Sequence, residues 1–161
     1  MSTWKMPPKA KVYEALSAVA DKRVSLTGRT TAQVQSSSRD KTYDVEWSEN
    51  MHEITSNDNA SYWQGYTGYP LIAALLQIGK ISFNPRIAHM LADVPWKSIN
   101  KQFKRDYDKA INHVLDGIEA KGGSRTEIIQ EVENIYGQLG SLELQRIQRR
   151  RRPPKEKQLP E

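Results

Sequence analysis

Between Pro70 and Gly79 the chain reads Leu71-Ile72-Ala73-Ala74-Leu75-Leu76-Gln77-Ile78, which is apolar on nearly every side of a helix. A segment of this kind offers no face to water, so other elements must surround it. It is also far short of the roughly 18 apolar residues a membrane helix needs, and no other run comes closer. The start, Met1-Ser2-Thr3-Trp4-Lys5, lacks the apolar stretch of a secretory signal. The expectation is a soluble, cytoplasmic protein built around the segment after Pro70.

The covering elements announce themselves by two different periods. Val12, Leu16 and Val19 recur at helical spacing, predicting an amphipathic helix over 9–21 with Pro8 near its first turn. The period then drops to two. Val24 and Leu26, Ala32 and Val34, and Tyr43, Val45 and Trp47 alternate, and Ile54 follows a turn around Asn50. Polar clusters separate these runs, which predicts three or four short antiparallel strands with one buried face.

Beyond Gly79 the helical period returns. Asn84 and Pro85 open a short helix with Ile87, Met90 and Leu91, and Asp93 with Pro95 start what reads as one long helix ending at Gly122-Gly123. Ser124 with Glu127 is a capping-box signature for a last helix carrying Ile128, Ile129, Val132, Ile135 and Leu139. The order is α+β: an N-terminal helix, a small antiparallel sheet of three or four strands, then four helices. A length of 161 residues fits one domain, drawn at 1–145, followed by a disordered basic tail over 146–161. The stripe of the last helix fits packing on its own core or on a twin, which leaves the oligomeric state open.

That tail holds the whole charge excess. Arg146, Arg149, Arg150, Arg151, Arg152, Lys155 and Lys157 face only Glu156 and Glu161 there, so the net +5 of the chain lies in its last 16 residues and the body is neutral. Four adjacent arginines followed by Pro153 and Pro154 disfavour helix and repel one another. Runs of this type bind polyanions by releasing condensed counterions. Nucleic acid, RNA or DNA, is the expected partner. The competing readings are a solubilising tail and an adaptor whose Arg-rich tail docks on protein, for instance within a ribonucleoprotein.

Two features of the body point the same way. On the helix after Pro95, Trp96, Phe103, Tyr107, Ala110, Val114 and Ile118 share one side, while Lys97, Lys101, Arg105 and Lys109 climb the other with Lys104 beside them. Cations early in a helix oppose its macrodipole, so a phosphate-tracking role is one explanation, and a solvated face balanced by Asp106, Asp108, Asp116 and Glu119 is the other. The stretch 57–69 interleaves Tyr62, Trp63, Tyr66 and Tyr69 with Asn57, Asp58, Asn59, Gln64, Gly65 and Gly68. Its rings either stack on unpaired bases or pin the loop to the apolar helix.

Catalytic signals are weak. The absence of cysteine removes disulfides, thiolate zinc sites, iron–sulfur clusters and cysteine nucleophiles. His52, His89 and His113 fall on three different elements without a carboxylate at ligand spacing, and Gly65-Tyr66-Thr67-Gly68 lacks the lysine of a phosphate-binding loop. A non-enzymatic protein with no catalytic residue, metal or cofactor is expected. An enzyme would need one pocket uniting His52, Asp58 and the tyrosines.

From Val34 to Ile81 the pattern resembles the SWIM type of ββα module. There a hairpin ends in Cys-x-Cys, and a loop leads to Cys-x-His at the start of an apolar helix. In this chain the hairpin runs from Val34 through Trp47, Ser56 and Asp58 stand at the strand end, and Tyr69 and Leu71 stand at the helix entry. No zinc set is present. The resemblance implies an aromatic loop in place of the metal as the fastening between hairpin and helix, and an association with DNA or protein.

Overall fold

The computed structural model describes residues 3–147 and 152–154. It is α+β, in the order α1 (Ala10–Ala20), β1 (Val24–Leu26), β2 (Thr31–Gln35), β3 (Thr42–Trp47), β4 (Glu53–Ser56), a single-turn π-helix (Ala60–Gln64), α2 (Tyr69–Gln77), α3 (Pro85–Met90), α4 (Trp96–Gln102), α5 (Tyr107–Ala120), α6 (Arg125–Ser141) and β5 (Gln145–Arg146). No helix among the described residues is long and apolar enough to cross a membrane.

Strands β1 to β4 form an antiparallel meander in sequence order. Its register lines up the alternating apolar residues. Ala32 lies opposite Val45, Val34 opposite Tyr43, and Trp47 opposite Ile54, and all six are buried on one face. That face rests on α2, and α1 covers the other side of α2 while also meeting α3, α5 and α6. Helix α2 is therefore the middle layer, which explains why Leu71 through Leu76 are all buried. Its four large aliphatics, Leu71, Ile72, Leu75 and Leu76, each contribute roughly 2 kcal/mol through burial.

The punctuation read in the sequence sits where the helices start and stop. Pro70 occupies the first turn of α2, and Gly79 follows its end at φ +79°. The Asn84 side chain accepts from Arg86 N–H at 3.0 Å, and the Ser124 hydroxyl accepts from Glu127 N–H at 3.2 Å. A polar link fastens the layers: the Ser17 hydroxyl donates to the Leu91 carbonyl at 2.6 Å and accepts from the Trp96 indole at 2.8 Å.

The structure corrects three expectations. The helix after Pro95 is two helices, α4 and α5, with a turn at 103–106. Lys104 and Arg105 adopt φ of 52° and 65°, and their N–H groups bond back to Lys101 and Asn100 carbonyls at 3.1 and 2.8 Å. That pair of bonds is a Schellman closure of α4, and Asp106 then caps α5 by accepting from Lys109 N–H at 3.3 Å. The sheet has five strands rather than three or four, because β5 pairs parallel with β4 at its edge. The stretch from Ala60 to Gln64, expected as loop, is the π-helix.

Candidate nucleic-acid interface

The segment from β4 to α2 is held by one carboxylate. Asp58 is 4% exposed and accepts from the Ser56 hydroxyl at 2.5 Å, from Ser61 N–H at 3.0 Å and from the Ser61 hydroxyl at 2.7 Å. Ser61 in turn accepts from Gly68 N–H at 3.2 Å. A Cβ on Gly68 would lie 1.9 Å from Asp58 Oδ2, so only glycine leaves room for the carboxylate at the start of α2. Beside this joint Tyr43 and Tyr69 meet edge to face at 6.1 Å, while Asn57 accepts from Asp44 N–H at 2.7 Å. Ser56 and Asp58 at the strand end thus bond to each other.

With the loop fastened there, its four rings have different environments. Tyr69 belongs to the joint, Tyr62 and Tyr66 are half-buried, and Trp63 is 69% exposed on the π-helix, braced edge to face by Tyr62 at 4.6 Å. Gly65 ends the π-helix at φ +72°. A Cβ there would stand 3.3 Å from Arg146 Nη1. Arg146 is therefore part of the sheet edge and packs against this loop. Its guanidinium lies 5.0 Å from the Trp4 ring centre, and Trp4 donates its indole N–H to the Ile54 carbonyl at 2.9 Å. Lys5 joins the same edge, bonding to Gly65 and Thr67 through its backbone. The strand crosses the boundary drawn at residue 145: Gln145 N–H bonds to His52 carbonyl at 2.8 Å and Ile147 N–H to Ile54 carbonyl at 3.4 Å. Arg149, Arg150 and Arg151 lie outside the described residues, and Arg152 is exposed.

The cationic ladder is not continuous. Lys97 donates to Asp40 at 2.6 Å, and that hydrogen bond, with a second from Ser38, holds the Asp40 carboxyl well below the usual carboxylate range. Lys109 pairs with Asp106 at 3.8 Å. Lys101, Lys104 and Arg105 are exposed, and their side chains make no ion pair or hydrogen bond with any described residue. What the sequence drew as a stripe is a corner of three unpaired cations, two of them on left-handed backbone.

Lys11 stands beside Tyr107, just past the corner, a position that sequence reasoning missed. Its ammonium is 3.4 Å from Glu14 and 5.1 Å from the Tyr107 ring centre. Burial works against the charged form, but Glu14, Tyr107, Tyr66 and Asp58 outweigh it and raise the pKa. Trp4 and Tyr107 were missed as well. Trp4 precedes any periodic segment, and Tyr107 falls in phase with the apolar stripe. His52 is exposed at one end of β4 and Asp58 is buried among serines beyond the other, so the two are not brought together. Among the described residues no three His, Asp or Glu side chains gather as metal ligands.

A family model described as "Uncharacterised conserved protein UCP014422" matches residues 4–145. No curated protein and no solved structure matches the chain.

Proposed function

Because the chain belongs to the UCP014422 family of uncharacterised conserved proteins, whose description carries no activity with it, we propose from its own residues a non-enzymatic nucleic-acid-binding protein. The observation that carries this reading is the exposed Trp63 on the π-helix, whose closing residue Gly65 packs against Arg146, the first residue of the basic run. An indole that exposed forgoes roughly 2 kcal/mol of burial, and a flat partner restores it. In this reading Arg149 through Arg152 supply salt-sensitive affinity, Lys101, Lys104 and Arg105 add backbone contacts, and Tyr62, Trp63 and Tyr66 meet bases. Lys97 contributes little, being neutralised by Asp40.

The test is fluorescence anisotropy of labelled RNA and DNA over a salt series, with the full chain and two full-length variants. Replacing Arg149, Arg150, Arg151 and Arg152 by Gln is expected to lower the slope of log K against log salt by about 3, at ~0.7 per cation on single strands. Lys97→Gln is expected to leave it unchanged. Binding indifferent to salt and to the arginines overturns the reading and moves the search to protein partners of the tail.

A further inference from the structure

The corner between α4 and α5 is tied to α1 at both of its ends. Glu14, buried on α1 at 7% exposure, accepts from the Asn100 side-chain amide at 3.0 Å. Asn100 lies near the end of α4, and its carbonyl accepts the Arg105 N–H at 2.8 Å. Lys11, three residues before Glu14, places its ammonium 3.4 Å from the Glu14 carboxylate and 5.1 Å from the ring centre of Tyr107, the first residue of α5. The residues before and after the turn are thus held through one ion pair on a third helix.

Stability alone does not account for that pair. Buried charges recover their desolvation only when the remaining lone pairs are satisfied, and Glu14 Oε2 is buried without a hydrogen bond among the described residues. Well-packed apolar residues of the same volume commonly hold two helices together as well or better. What the charges add is direction, since a carboxylate orients the Asn100 amide and an ammonium orients the Tyr107 ring. The corner needs such orienting. Left-handed φ at two successive residues that are not glycine persists only where the surroundings impose it. Here the surroundings are Asn100 and Tyr107, and the residues so constrained are the exposed Lys104 and Arg105.

We infer that Lys11 and Glu14 are positioning residues: from α1 they fix Asn100 and Tyr107, and so hold Lys104 and Arg105 where both meet phosphates of one bound strand. This rests on the nucleic-acid reading above, and the experiment separates the two. It uses the full chain, a labelled oligothymidylate of twelve nucleotides, and amide hydrogen exchange without ligand.

Asn100→Ala cuts the tie on the α4 side and Tyr107→Leu the tie on the α5 side, both at half-buried residues outside the core. Each is expected to speed exchange at the Lys104 and Arg105 amides while the Ile78 amide, bonded to the Ala74 carbonyl at the end of α2, exchanges as in the parent. Each is expected to weaken binding about 2- to 10-fold, the lower part of the range for residues in one network. Made together with Lys104→Gln and Arg105→Gln, the same substitutions should be silent. Made where Arg149 to Arg152 are replaced by Gln, they should keep their full effect. Glu14→Gln leaves an acceptor for the Asn100 amide and should preserve slow exchange at Arg105, which Glu14→Leu should abolish. An equal loss of affinity in every background shows a general loosening of the fold and overturns the positioning role, as do unchanged exchange and unchanged affinity. No binding by the parent overturns the nucleic-acid reading, and the exchange rates then decide whether α1 holds the corner.

Discussion

The joint at Asp58 and the corner at Lys104-Arg105 both connect one element to the next, and they do so by opposite means. At the joint every oxygen of a buried carboxylate finds a donor, and a glycine is placed where a side chain would collide. At the corner the charges are exposed without partners, and the backbone takes a conformation that glycine would adopt more easily. The joint obeys the rules for a stable buried polar network, and the corner makes its closing bonds without the glycine that such a turn favours. Residues of the first kind are there to hold the fold. The proposed function assigns those of the second kind to a partner outside it.

The comparison breaks if the joint is dispensable. Asp58→Ala strips the partners from two buried serines and one backbone N–H, and is expected to cost about 3 kcal/mol in urea unfolding. Gly68→Ala strikes the same joint from the other side and should cost at least as much. A loss under about 1 kcal/mol in both would show that α2 alone fixes the loop.

A smaller effect comes from the rings at the joint. Burial, with Asp58 adding, pushes the Tyr43 hydroxyl up to about 12, and burial raises Tyr69 well above its ordinary value. An unfolded tyrosine titrates near pH 10. Between pH 10 and 12 the unfolded chain therefore releases protons that the folded chain keeps, so stability complete below pH 10 is lost as pH rises. Urea midpoints from pH 9 to 12 should fall, and replacing both tyrosines by Phe should flatten the fall.

The smallest effect has the opposite sign. Lys104→Gly relieves a left-handed side chain and is expected to stabilise the fold by about 0.5–1 kcal/mol, while weakening nucleic-acid binding. A variant that gains stability and loses affinity sharpens the contrast between the two regions. One that loses stability would place Lys104 among the residues that hold the fold.

Much of the architecture is legible in the sequence because it is written in local rules. Pro70, Asn84 and Ser124 open helices, Gly79 closes one, and Tyr43, Val45 and Trp47 alternate with the pleat. The break between α4 and α5 escapes such a reading because Trp96, Phe103, Tyr107 and Ala110 stay in helical phase across it. The turn also lacks the glycine that signals a Schellman closure. Strand β5 is illegible for another reason: two residues have no period, and Arg146 sits in a charge run that reads as tail. The candidate site divides in the same way. Tyr62, Trp63 and Tyr66 are visible as a cluster in sequence, whereas the contacts of Lys11 with Tyr107 and of Arg146 with Trp4 arise only through long-range folding.

The pairing of β5 also determines how the molecule would carry a mechanical load. Tension applied beyond Ile147 reaches the sheet through the short parallel ladder of β5 with β4, the pairing of Gln145 with Thr3 and the Arg146 contact with Trp4. Everything else in the sheet lies on the far side of that short strand. Pulling would peel β5 away before it disturbed the meander, freeing Arg146 from Gly65 and uncovering the flank of the π-helix that carries Trp63. The chain beyond Ile147 is thus attached to the body through the shortest strand of the sheet, beside the residue that closes the π-helix.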